Sequence, residues 1–211
     1  MRRFRLVAAV TMGLGVSACA TVETATRNTP LDTTRIQPIG ASFDVQGVTV
    51  QVPRALEVSE ANRYYPGGDI VWREDPVGDR HEQVRAIFEE AMNRGVDTMP
   101  DGSVPARLDI EVSRFHALTE KARYTVGGVH ALQFTYVLRN PETGEAYGPP
   151  KKVKADLKAY GGARAIAAER EGVTQKYRIT NHLAEVIRRE LGDPEGYTAA
   201  KLGLMGAINQ I

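Results

Sequence analysis

Two alternating runs on either side of Asn140-Pro141-Glu142-Thr143-Gly144 limit the fold more than any other feature of this chain. Before the turn, in residues 129–139, Leu132, Phe134, Tyr136 and Leu138 share one face. After it, in residues 151–159, Val153, Ala155, Leu157 and Ala159 point one way and Lys152, Lys154, Asp156 and Lys158 the other. A period of two is that of a strand with one buried face. Pro141 presets one dihedral of the turn and Gly144 accepts a positive one, so the two strands form an antiparallel pair. An earlier run, 105–117, sets Leu108, Ile110 and Val112 on one face, with Phe115 out of phase, which predicts a bulge near Ser113-Arg114. Residues 47–53 alternate Val48, Val50 and Val52 with Thr49 and Gln51, which makes them the first strand.

Helices fill the intervals. Asp79-Arg80-His81-Glu82 has the spacing of a capping box, and Val84, Ile87, Phe88, Ala91 and Met92 follow at helical spacing, predicting a helix over 80–94 stopped by Gly95. Residues 161–171 are Ala-rich, 173–191 repeat Ile179, Leu183, Val186 and Ile187, and Gly192-Asp193-Pro194 ends them. The order strand, helix, three meandering strands, helix makes the class α+β: an antiparallel four-stranded sheet with two main helices packed on one face. One α+β domain is expected over 43–192, with a short helical tail at 193–211. There is no internal repeat.

The N-terminal residues form a separate problem. Met1-Arg2-Arg3-Phe4-Arg5 is basic, residues 6–16 are apolar, and Val16-Ser17-Ala18-Cys19 puts small residues before the single cysteine of the chain. An apolar run of about 11 residues is well short of the roughly 20 that cross hydrocarbon, so residues 1–18 are expected to be a cleaved signal peptide. The four residues resemble a lipobox, the site at which bacterial lipoprotein precursors are acylated and cut. The resemblance implies cleavage between Ala18 and Cys19, with diacylglycerol on the Cys19 thiol and an N-acyl chain such as palmitate on its amino group. Two or more chains hold firmly where one holds marginally, at ~0.8 kcal/mol per buried methylene. Residue 20 is Ala rather than Asp, which in such lipoproteins implies export to the outer membrane, facing the periplasm, with the periplasmic face of the inner membrane as the alternative.

Residues 20–38 are Thr-rich and poor in large apolar side chains, so 19–42 is expected to be a lipidated tether with a reach of roughly 25 to 30 Å, or else to order partly along the body. The chain has 27 Lys and Arg against 26 Asp and Glu; losing Arg2, Arg3 and Arg5 with the signal peptide leaves 24 against 26. That balance offers no electrostatic footprint for nucleic acid. With Cys19 acylated, disulfides, thiolate metal sites and Cys nucleophiles are excluded.

Candidate chemistry is sparse. His81 and His182 lie in helices without metal-ligand spacing, while His116 and His130 fall on neighbouring strands as an expected rim pair; no metal or cofactor is expected beyond the acyl chains. No serine sits in a G-x-S-x-G elbow. Asp69, Glu74, Asp75 and Asp79 surround the sole tryptophan, Trp72, where paired acids beside an aromatic platform could process sugars. Turn and cap roles explain the same acids, and Trp72 then serves recognition. Tyr64, Tyr65, Asp69 and Trp72, with the basic, aromatic, mobile loop carrying Lys121, Arg123, Tyr124 and His130, are the candidate partner-binding residues.

The lipobox, the tether, the element order and the run from Tyr64-Tyr65-Pro66-Gly67-Gly68-Asp69-Ile70-Val71-Trp72 to Pro76 resemble a group of small alphaproteobacterial lipoproteins with no assigned activity. More loosely, the element order is similar to auxiliary lipoproteins of ABC-type lipid transport and to the lipopolysaccharide-assembly lipoprotein of the outer membrane. The resemblance implies a non-catalytic, membrane-anchored subunit of an envelope protein complex; the carboxylates near Trp72 leave a cell-envelope hydrolase as the alternative.

Overall fold

The computed structural model describes residues 42–202. The signal peptide, Cys19, the tether up to residue 41 and the tail from residue 203 lie outside the described residues. Ten elements follow in order: β1 (Phe43–Gln51), β2 (Ile70–Val71), α1 (Arg80–Asp97), β3 (Val104–His116), α2 (Glu120–Arg123), β4 (Gly128–Arg139), β5 (Lys151–Lys154), β6 (Leu157–Ala159), α3 (Gly162–Arg170) and α4 (Gln175–Gly192). The protein is α+β. Among the described helices none is long and apolar enough to cross a membrane.

The sheet has six strands rather than four, and it is mixed rather than antiparallel. Its order is β1-β3-β4-β5, with β2 also on β3 and β6 also on β4. β1 and β2 both run parallel to β3. The reason is the connection: β1 reaches β3 through α1, and a crossover of that length returns the chain in the same direction, whereas β3, β4 and β5 follow one another through shorter links and alternate. Leu108 faces Val48 and Leu138, and Ile110 faces Val50 and Tyr136, so apolar rows continue across three strands.

The register slips between Val112 and Arg114, as the phase break predicts, and this returns Phe115 to the inner face opposite Leu132. There Phe115 meets Phe88 and Trp72 edge-on, and Phe88 also meets Phe134. Helices α1 and α4 bring Val84, Ile87, Met92, Ile179, Leu183, Val186 and Ile187 into the same core, all fully buried.

Local signals were otherwise corrected in three places. Asp79 caps α1 by accepting from the His81 and Glu82 amides, but Glu82 does not reach back, because Arg54 and Arg85 take its carboxylate. Gly95 does not end α1, which runs on to Asp97; a Cβ there would lie 2.5 Å from both Ala184 O and Ile187 Cγ2, so its role is the close approach of α4. The expected fourth strand is interrupted: Ala155 N–H reaches Leu132 O, but Leu132 N–H donates to the Asp156 side chain instead of a backbone carbonyl. Asp156, expected outward, is therefore buried, and burial pushes its carboxyl pKa up.

Candidate functional site

Trp72 is no surface anchor. It follows β2 directly into the core and is fully buried, its Nε1 donating to Asp75 Oδ2 at 2.7 Å. Asp75 also pairs with Lys176 Nζ at 3.0 Å. Glu74 accepts from Arg123 Nη1 at 3.0 Å and from the Lys176 amide at 3.1 Å, in the first turn of α4, where a negative charge is favoured. Asp69 Oδ2 accepts the Glu57 amide at 3.0 Å, and Asp79 is the α1 cap held by Arg54. Each of the four acids near Trp72 is thus spent on a specific donor of the frame.

The expected mobile loop is instead the short helix α2, whose N-cap Thr119 accepts from the Ala122 amide. Two segments far apart in sequence meet there. Thr119 Oγ1 donates to Arg63 O, the Lys121 amide donates to Asn62 Oδ1, and Arg73 ties Glu60 to Glu120. Lys121 Nζ lies 4.8 Å from the centroid of the Tyr64 ring. On these joined segments Tyr64, Tyr65, Tyr124 and Val126 are 41, 66, 43 and 69 % exposed, the Tyr124 hydroxyl donating to Glu169 of α3. A backbone contact fixes them from below: a Cβ on Gly161 would meet Gly127 N at 2.2 Å, so the β6–α3 junction lies directly on the end of the α2 segment.

Arg123 and His130 do not join that surface. Arg123 is buried between Glu74 and Glu169, and His130 is 1 % exposed behind it. The expected rim pair of histidines is also corrected, since His116 is buried with Nε2 on Pro66 O at 2.9 Å. Burial lowers the pKa of His116, and that of His130 falls to about 3, so both are neutral rings at ordinary pH. Among the described residues no group of three His, Cys, Asp or Glu is placed to hold a metal ion.

Beneath Arg123 lies a small recess, open to solvent and with room for about one water molecule, whose walls include His130, Tyr160, Glu169, Gln175 and Arg178. Tyr160 is the residue that sequence reading passed over. It follows β6, outside the alternation, and Arg164 one helical turn on and Arg178 from α4 both stack on its ring, at 4.0 and 3.6 Å. The four-residue spacing of Tyr160 and Arg164 was a legible hint. Arg178 was not, because only the packing of α4 brings it there.

Residues 43–207 match a family of unknown function, DUF6778. No curated protein matches the sequence. Among solved structures, the chain is similar to a "putative lipoprotein" from Caulobacter crescentus at 13% identity, over 50% of this chain and 78% of that one, with a TM-score of 0.32. It is also similar to a Xanthomonas campestris protein of the DUF330 family at 11% identity, over 69% and 82%, with a TM-score of 0.38. An uncharacterized protein matches at 16% identity, over 70% and 90%, with a TM-score of 0.34.

Proposed function

The chain belongs to the family of unknown function DUF6778, and on that premise we propose that it is a non-catalytic lipoprotein, anchored in the outer membrane through acylated Cys19 and facing the periplasm as an auxiliary subunit of an envelope assembly or lipid-transport complex. The observation that carries the docking role is the meeting of residues 62–65 with 119–126. A frame of ion pairs is built underneath, yet Tyr64, Tyr65, Tyr124 and Val126 remain exposed on top. Tyrosines supply large, rigid contact area at low entropic cost, which is why they are enriched in interfaces. The cation of Lys121 at the rim suits a partner with acidic groups around an apolar centre.

Anchoring rests on the lipobox-like Val16-Ser17-Ala18-Cys19, followed by a Thr-rich stretch long enough to let the body clear the lipid surface. Hydrolysis at the Trp72 segment is disfavoured, because its indole is in the core and its acids are engaged by Lys176, Arg123, Arg54 and backbone amides.

Photo-crosslinking in cells from Tyr65 and Val126 tests the docking surface. A discrete envelope protein captured from both positions, and not from Glu142 in the β4–β5 turn, supports it; equal, diffuse labelling from all three removes it. Mass spectrometry tests the anchor independently: a diacylglyceryl group is expected on Cys19, and an unmodified thiol there overturns it.

A further inference from the structure

The sheet has one face under helices and one without them. The inner face, with Leu108, Ile110, Leu132, Phe134 and Val153, belongs to the core that α1 and α4 close. On that side Lys151 of the edge strand β5 reaches Glu190 of α4. The outward positions alternate with these, and no described helix packs on them. Only the end at His116 is closed, by Pro66.

Register places the outward charges. Arg114 of β3 faces Gln133 of β4 and then Lys154 of β5, and in the next outward row Glu111 faces Thr135 and Lys152. Farther along, Asp109 is held by Arg107 of its own strand and Arg139 of β4. The face thus sets five cations, Arg107, Arg114, Arg139, Lys152 and Lys154, against two acids, Asp109 and Glu111. The chain as a whole is nearly balanced, at 27 Lys and Arg to 26 Asp and Glu.

Three of these cations have no counter-charge in contact. Arg80 and Arg123 are held by carboxylates, but among the described residues Arg114, Lys152 and Lys154 form no ion pair, and Arg114 Nε is buried without a hydrogen-bond partner. The acid that feels both Arg114 and Lys154, Asp156, is turned inward to the Leu132 amide. Lysines on an edge strand discourage pairing with another chain, which accounts for Lys152 and Lys154 locally. That reason does not reach Arg114, whose strand lies between β1 and β4.

We infer that this outward sheet face lies against an anionic lipid surface. A protein interface has an apolar centre. Here the positions between the cations are Gln133 and Thr135, and Val137 beyond them is buried. A layer of anionic headgroups needs no apolar centre, because it draws each cation at short range. The inference rests on the chain working at a membrane, and not on the tyrosine surface being an interface.

The test is lysine footprinting, read by mass spectrometry, of the full acylated protein on vesicles of phosphatidylcholine alone or with one third phosphatidylglycerol. Labelling of Lys152 and Lys154 is expected to fall about fivefold on the anionic vesicles, the effect of one surface-attracted cation. It should recover at about 0.5 M salt, where screening is short, while Lys121 labels alike on both vesicles. Equal labelling of Lys152 and Lys154 on the two vesicles, or protection of Lys121 in their place, overturns the inference. Protection by an envelope protein extract but not by anionic vesicles identifies an acidic protein as the occupant and overturns it too. If Cys19 carries no acyl chain, a nickel-chelating lipid gripping an N-terminal hexahistidine tag holds the protein to the same vesicles, so the anchor and the contact fail separately.

Discussion

Trp72 and Asp75 are joined by a 2.7 Å hydrogen bond from the indole nitrogen to Oδ2, and the same carboxylate receives the ammonium of Lys176. An indole at the centre of the core thereby gains the polar partner that a buried N–H requires, and the segment 69–76 is locked to α4. Trp72→Ala is expected to cost ~3–5 kcal/mol through the cavity it leaves. Asp75→Ala should cost ~1–3 kcal/mol because it strands the indole N–H. Urea unfolding followed by circular dichroism measures both; a neutral Asp75→Ala would show that the bond contributes nothing.

Arg123 sits between Glu74 and Glu169 at 9 % exposure. Arg123→Glu leaves three carboxylates together in a part-buried place and should destabilise by ~3–5 kcal/mol, the cost of breaking a buried pair. Lys121→Glu, two residues away and exposed, should stay within ~0.5 kcal/mol of the parent protein. Loss of crosslinking in Lys121→Glu can therefore be attributed to the surface, whereas the same loss in Arg123→Glu reports unfolding. Thermal melts of the two variants distinguish them.

Gly95 lies inside α1, where an added Cβ would overlap Ala184 O and Ile187 Cγ2 at 2.5 Å. Alanine is the better helix former by ~1 kcal/mol. Even so, Gly95→Ala should lower stability by ~1–3 kcal/mol, because packed helices cannot separate without losing contacts along their length. Unchanged or raised denaturant midpoints would mean that α1 and α4 can part at no cost.

Acid should destabilise the fold in two stages. His130 has its pKa lowered from 6.5 to about 3 by burial. The unfolded chain therefore binds a proton that the folded chain refuses between those values, and stability is full above about pH 6.5 and declines as pH falls toward 3. His116 and His182, also lowered by burial, act in the same direction. Carboxylates with depressed pKa values, such as Asp109 held by Arg107, add their loss only below the ordinary carboxylate range. His130→Gln should flatten the slope between pH 6.5 and 5 when folding free energy is measured across that interval; an unaltered slope would place the proton elsewhere.

The strand alternations, the bulge before Phe115, the Asn140 turn and the amphipathic faces of α1 and α4 were legible in the chain because each depends on neighbours two to four residues away. The direction of β1 was not, since parallel pairing follows from the path of a long crossover rather than from local pattern. Site residues divide in the same way. Tyr64, Tyr65, Lys121 and Tyr124 are exposed, but amphipathic residues can turn either way, and tertiary packing sent Trp72, Arg123 and His130 inward. The meeting of Arg164 and Arg178 on Tyr160 is decided wholly by how α3 and α4 pack. By itself the sequence determined local periodicity and a lipobox-like start; only the tertiary structure decided which charges are spent on the frame, because the partners that hold them come from segments far apart in the chain.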